Sequence, residues 1–377
     1  MSQSLIFLER LFEHSTTSET HRRDTRWCHV SPLLTAVLVQ AGVVIGNEAV
    51  WSRLSDPDHD LVPRLLGMDL LRLGLERGDT ARQALEVVTG LLEQHGQGGQ
   101  CSDIVPDFSY HNSFLIADQR EAWVLETADR SVDVNVRHQS YLRMSCSRLW
   151  AAEKVESGVR NISNCLSIRD KIDLHSSDLL QVSRERGWWD GEKTFNWSEV
   201  MGGQVRGSLS SGDRRWQCGR RLLQENSSES QFRVRDMMQV LRDEESGINR
   251  PTGDFPTAAS QVSSLGSSSL RPGHWFTASP DPDNAVFKPF VFGSNISDIT
   301  NITKSPEGVA LQPGERQHIL WESVKRNRLD KKKIERLEET SVKVCDEVRM
   351  KSDGDDIENI FNNFVESELS ERDLCSK

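Results

Sequence analysis

Val43-Val44-Ile45-Gly46-Asn47-Glu48-Ala49-Val50-Trp51 is the stretch from which the rest of the chain is read. A β-branched apolar run ends in a polar triplet, and an apolar pair follows. The pattern predicts a buried strand, a tight turn at Gly46-Asn47 and a second strand. A polar triplet between two buried strands is a natural place for a site. Beyond it, strand, helix and turn signals follow at regular intervals. Before it there is little pattern: Ser15 to Arg26 is polar, and Leu33 to Val39 fits a short helix or a strand equally well.

Composition bounds the rest. With 377 residues the chain can bury a sizeable core, and its net charge of −11 argues against nucleic acid or an anionic membrane as the main partner. No apolar run reaches the roughly 18 residues of a membrane span. The run from Leu33 to Ile45 is broken by Thr35, Gln40 and Gly42, and the patch from Leu5 to Phe12 by Glu9 and Arg10, so no secretory signal is expected. The seven cysteines are scattered, without a C-x-x-C pair, as free thiols of a reducing compartment would be. The expectation is a cytoplasmic protein. The Asn-x-Ser/Thr triplets at Asn161, Asn196, Asn226, Asn295 and Asn301 are then chance matches. No His/Cys cluster has zinc-ligand spacing, and no metal or cofactor is expected.

Gly67 to Leu75 reads as a helix closed at Arg77-Gly78-Asp79. A second helix is capped by Asp79 or Thr80, carries Ala81, Ala84, Leu85, Val88, Leu91 and Leu92 on one face, and ends at Gly96. Gly96-Gln97-Gly98-Gly99 follows a helix and lacks the Walker Lys-Ser/Thr, so it is not read as a phosphate loop. Ser113 to Ala117 and Ala122 to Glu126 form a hairpin through Asp118-Gln119-Arg120-Glu121. Strand character breaks over 129–148. It resumes at Leu149 to Ala152 and at Asn161 to Ile168. Met237 to Asp243 is helical. Pro289 marks Ala285 to Phe292 as an edge or bulged strand. Lys331-Lys332-Lys333 reads as a solvated helix face, and Ile357 to Leu369 as an amphipathic helix docked on the body.

Five blocks in this order resemble the secernin family: Val44 to Trp51; Leu66-Gly67-Met68-Asp69-Leu70-Leu71-Arg72-Leu73; Arg160-Asn161-Ile162-Ser163-Asn164; Leu241-Arg242-Asp243 leading to Ser246-Gly247-Ile248; and Pro280-Asp281-Pro282 leading to Val286-Phe287-Lys288-Pro289-Phe290. The likeness covers 43–128 and 149–293. Secernins are grouped with the cysteine-type dipeptidases among N-terminal-nucleophile hydrolases. The resemblance therefore implies an α+β fold, a four-layer αββα sandwich, here incomplete at its N-terminus. It implies three regions: an atypical segment over 1–42, the hydrolase-like domain over 43–293 with an irregular insertion at 129–148, and a variable charged tail over 294–377. The implied chemistry is proteolysis: a processed N-terminal cysteine acts as thiolate on a small peptide, with its own α-amino group as base.

The chain departs from that pattern at the nucleophile. The only cysteine before Val43 is Cys28, in Trp27-Cys28-His29-Val30, a context unlike the family's nucleophile segment. That departure and the 129–148 insertion read as alternative splicing or an incorrect gene model. The expectation is that the exopeptidase-type nucleophile is absent and the chain inactive; a non-catalytic interaction role in regulated exocytosis is the alternative. Cys28 and His29 are sequence neighbours, which on a strand point to opposite faces. Cys165 is read as a buried, inert thiol within a strand. The candidate substrate or oxyanion donors are Asn47 and Asn164, by the resemblance of Gly46-Asn47 and Ser163-Asn164 to short patterns of related amidases. An amide NH2 is a neutral donor suited to a developing oxyanion. The two are expected close together at the end of a shared sheet. Asp281-Pro282-Asp283 is read as turn chemistry, and Trp188-Trp189 as core or interface packing.

Overall fold

The computed structural model describes residues 5–8, 42–102, 105–130, 147–202, 211–229, 232–253, 256–267, 269–292, 319–351 and 360–372. Cys28 and the core of the expected insertion, including Val132, Val134, Val136 and Leu142, lie outside them. In chain order the elements are β1 (Leu5–Leu8), β2 (Val44–Val50), α1 (Pro57–Asp60), α2 (Gly67–Arg77), α3 (Ala81–His95), β3 (His111–Ala117), β4 (Ala122–Arg130), β5 (Ser147–Val155) and β6 (Leu174–His175). They continue with α4 (Leu179–Glu185), α5 (Trp197–Met201), α6 (Ser211–Glu229), α7 (Val234–Leu241), β7 (Gln261–Ser264), β8 (Gly273–Phe276), β9 (Lys288–Phe290), α8 (Ile319–Arg326), α9 (Lys331–Arg349) and α10 (Ile360–Glu371). The architecture is α+β, and every strand pair is antiparallel.

The chain divides into two units, 37–224 and 225–377 with 1–36. The expected boundary at 293 therefore falls inside the second. In the first unit a five-stranded sheet runs β2-β3-β4-β5-β6. Gly46-Asn47 is not a turn; it sits mid-strand, in unbroken register with β3 from Val44↔Ala117 to Val50↔His111. The partner strand satisfies the backbone groups that a turn would otherwise have closed on themselves. The hairpin β3–β4 is as expected: Asp118 Oδ1 accepts from the backbone N–H of Arg120 and Glu121, and its Oδ2 from Ala81 N at the start of α3. One carboxylate thus shapes the turn and caps a helix. The insertion is shorter than expected, because Asp129 and Arg130 pair with Arg148 and Ser147 as part of the β4–β5 ladder.

One face of this sheet is covered by α2 and α3. Ile45, Phe114, Ile116, Trp123, Leu125 and Ala152 meet Leu70, Leu71, Leu75, Ala84, Leu85, Val88 and Leu92 in one core cluster. Each fully buried aliphatic side chain there contributes roughly 1.5–3 kcal/mol of transfer free energy. α3 begins where Thr80 accepts from Gln83 N and ends at Gly96, as its sequence predicts. Asn161 to Ile168 is not the strand expected. It is an irregular segment with an isolated Ser163↔Cys165 bridge, held by the Glu126 side chain of β4 and the Arg215 and Trp216 side chains of α6 instead of by a ladder.

In the second unit the sheet order is β1-β7-β8-β9, with Pro289 on an edge strand of this described sheet. α9 and α10 pack on β9, and α7 packs on β7. The segment Ala285 to Lys288 is held by two buried carboxylates. Glu338 of α9 accepts from Phe287 N and takes both Arg242 Nη atoms, at 2.6 and 3.1 Å. Glu368 of α10 faces Lys288 Nζ and Arg372, and Lys288 Nζ also donates to Val286 O at 2.6 Å. Arg242 further donates to Pro282 O and Ala285 O, tying two of the sequence blocks together. Asp281 has φ of 54° and accepts from Asn249 and from Asp283 N, the turn role expected of it.

Candidate functional site

Polar residues collect at one end of the five-stranded sheet. β2 is apolar through Ile45 and then carries Asn47 and Glu48; β3 starts with His111-Asn112-Ser113 and turns apolar at Phe114; β4 ends its apolar run with Glu126-Thr127. Glu48, His111, Asn112, Ser113, Glu126 and Thr127 are all buried. Antiparallel pairing stacks these polar positions side by side, and strand alternation sorts them onto two faces.

Asn47 lies on the face covered by α2 and α3. Its Nδ2 donates to Asn112 Oδ1 at 2.8 Å, and Asn112 Nδ2 donates to Gln97 Oε1 at 2.8 Å. Gln97 Nε2 donates to Thr127 Oγ1 at 2.9 Å, and Thr127 Oγ1 donates to Asn112 O. The start of α2 rests on this network. A Cβ at Gly67 would lie 1.8 Å from Asn112 Oδ1 and 2.8 Å from Asn47 Nδ2, so only glycine admits the approach. Gln97, from the glycine-rich stretch, serves this amide chain.

Glu48 points to the opposite face, next to Asn164. Asn164 Nδ2 donates to Glu48 Oε2 at 3.0 Å and to Ala49 O at 2.9 Å, and Asn164 Oδ1 accepts from Arg215 Nη2. Both amide hydrogens of Asn164 are thus engaged. Asn164 meets Glu48 and Ala49 O, next to Asn47 in β2, while the Asn47 side chain lies on the other face of that strand. The physical reason is the continuous strand. A turn at Gly46-Asn47 would have let neighbouring side chains converge, whereas a strand alternates them.

The same face carries a buried ionic chain. Glu126 accepts from Ser167 N at 2.8 Å, Ser167 Oγ at 2.7 Å and Ile168 N at 3.3 Å. Burial pushes its carboxyl up, against Arg160 and the three hydrogen bonds, which favour the charged form. Arg160 donates to Ser167 Oγ and makes a forked contact to Glu153 at 2.9 and 3.1 Å. Ser113 lies between Glu48 and Glu126 in the cross-strand register, and its Oγ has no hydrogen-bond partner among the described residues. Among the described residues no base accepts a hydrogen bond from that hydroxyl. Cys165 adjoins Asn164. Burial first, then Asp213 and Glu126, push its thiol well above the usual range, with Arg215 opposing. A protonated thiol is not a nucleophile.

Sequence reasoning missed α6, which supplies Asp213, Arg215 and Trp216. Its buried positions, Gly212, Arg215, Gly219 and Leu223, have helical spacing, but only the last is a large apolar residue. Periodicity of apolar residues is blind to such a face. Gly212 is needed for close approach: a Cβ there would lie 2.4 Å from Asn164 O. The usable signal was Ser211-Gly212-Asp213 as a helix start.

Among the described residues no group of three or more His, Cys, Asp or Glu side chains is arranged to hold a metal ion, and no helix is long and apolar enough to cross a membrane. No protein-family model matches the chain.

Proposed function

We propose that the chain is a secernin-like relative of the cysteine-type dipeptidases that binds a small peptide without thiol-dependent turnover. The observation that carries this reading is the state of three described thiols, Cys101, Cys165 and Cys345. Cys165, beside a candidate amide, is held protonated by burial and neighbouring carboxylates. Burial also pushes Cys101 to about 11 and Cys345 to about 12. At neutral pH less than roughly one part in a thousand of such a thiol is thiolate. Asn47 is the amide donor for a peptide carbonyl, because one of its N–H bonds is uncommitted among the described residues. Asn164 serves a carbonyl only by releasing Glu48 or Ala49.

The reading includes a four-layer αββα sandwich of the N-terminal-nucleophile type and a cytoplasmic location. Two antiparallel sheets, each with helices packed on it, support the first. The protonated thiols equally favour a second reading, a non-catalytic interaction protein of regulated exocytosis. A dipeptide panel separates them, scored for hydrolysis with and without iodoacetamide and for binding by calorimetry. The first reading expects binding that Asn47→Ala weakens, and no hydrolysis. Alkylation-sensitive hydrolysis would overturn both readings, and absence of binding would leave the second.

A further inference from the structure

Gly187-Trp188-Trp189-Asp190-Gly191 follows α4 and builds a surface that the candidate site does not use. Trp188 N and Trp189 N both donate to Ser183 O, at 2.9 and 3.2 Å, which turns the backbone at the helix end. Trp189 Nε1 donates to Lys193 O at 2.8 Å, and its ring meets Phe195 edge-on at 5.4 Å. Three arginines lie on these rings. Arg53 and Arg186 stand 5.0 and 5.4 Å from the Trp188 centroid, and Arg184 stands 5.3 Å from that of Trp189. Gly191, at φ of 81°, leaves room for this: a Cβ there would lie 2.4 Å from Arg184 Nε.

None of the three guanidinium groups pairs with a carboxylate among the described residues. The neighbouring Asp190, itself exposed, accepts from Glu192 N and Lys193 N through Oδ1. In a chain of net charge −11, with Glu185, Asp190 and Glu192 exposed in the same stretch, three guanidinium groups outside any described ion pair stand together. Two of them share a single indole, so they repel each other across a short distance. Stacking occupies the face of a guanidinium and leaves N–H edges for a bidentate carboxylate, although Arg184 Nη2 also donates to Gly191 O at 3.5 Å. Arg and Trp are also the residues that most often anchor protein interfaces.

We propose that Arg53, Arg184 and Arg186, laid on Trp188 and Trp189, form a docking surface for an acidic segment of a partner protein. A short acidic peptide pairs with these guanidinium groups at contact range. An extended anionic surface or polynucleotide also meets the field of the acidic chain as a whole. The inference does not depend on the peptide-binding reading above.

The test is fluorescence anisotropy of a labelled all-glutamate peptide titrated with the full chain, with an all-lysine peptide, phosphatidylserine vesicles and single-stranded DNA as parallel arms. The glutamate peptide is expected to bind, more weakly at high salt. The double substitution Arg53→Gln with Arg186→Gln is expected to weaken it on the order of tenfold or more. Lys331→Gln with Lys332→Gln, on an exposed helix face, is expected to leave it unchanged. Arg186→Lys keeps the charge but loses the fork, and is expected to fall between wild type and the double variant. It decides the matter if the double variant unfolds. No glutamate binding, binding indifferent to the arginines, or equal arginine-dependent binding of vesicles or DNA would each overturn the proposal.

Discussion

Gly67 and His274 show how single residues set the behaviour of this chain. Gly67 stands where the start of α2 touches the Asn47–Asn112 pair. Gly67→Ala places a methyl group inside van der Waals contact with Asn112 Oδ1, with Asn47 close behind. The expected cost is about 1–3 kcal/mol, as for other overpacked sites, read as a lower urea midpoint at unchanged slope. An unchanged midpoint would mean that the amide network yields freely. His274 is buried between Ser263 and the Phe290 and Phe292 rings, and burial with Arg349 nearby lowers its pKa to about 3. Between that value and the ordinary 6.5 the unfolded chain binds the extra proton. Stability therefore rises with pH across this window and is lost as pH falls through it. The slope from this one group is at most about 1.4 kcal/mol per pH unit. His274→Gln is expected to flatten the acid limb of the stability curve between about pH 3.5 and 6.5. A limb of unchanged steepness would assign it to other groups.

Among the elements, α2, α3, the β3–β4 hairpin and α10 were legible in the sequence, each for a local reason. α3 has a cap, an apolar face at helical spacing and a closing glycine; the hairpin has Asp118 at its turn. What escaped was decided by partners distant in sequence. Gly46-Asn47 looks like a turn until β3 is laid beside it. Asn161 to Ile168 has strand composition, but its backbone and side chains are claimed by Glu126 and α6. The apposition of Asn164 and Glu48 was illegible for the same reason, since it spans more than a hundred residues. The charged α9 was readable as a helix but not as part of the core, and the docking of α10 was readable from its apolar stripe but not from its buried carboxylate. Glu368 and Glu338, both buried, hold Lys288 and Arg242 respectively. Removing one partner of a buried ion pair leaves the other charge stranded. Glu368→Gln is expected to cost about 3 kcal/mol or more and to strip α10 of hydrogen-exchange protection first. Protection of α10 equal to that of wild type would show that its apolar face, Phe361, Phe364 and Leu369, suffices to dock it.

For the molecule as a whole, the cysteines report on each unit by itself. Cys101 and Cys165 belong to 37–224 and Cys345 to 225–377. Burial raises all three thiols, so alkylation at neutral pH must wait for an opening that exposes the side chain. Cys101 packs with Ala49, Tyr110 and Leu66, the residue before α2. Cys345 is on α9, the helix that shares the hold on Ala285 to Lys288 with α10. Gly67→Ala is therefore expected to accelerate labelling of Cys101, and Glu368→Gln that of Cys345. Each destabilised residue makes its contacts within its own unit. Where opening is fast relative to labelling, a loss of 1.4 kcal/mol in the local opening free energy raises the rate about tenfold. Mass spectrometry of iodoacetamide-treated protein, digested after timed quenching, resolves the three sites. The expected pattern is crossed: one substitution, one accelerated thiol. Equal acceleration of Cys101 and Cys345 by either substitution would mean that the chain opens as a single cooperative body, and the energies argued above for residue and element would then have to be read as global ones.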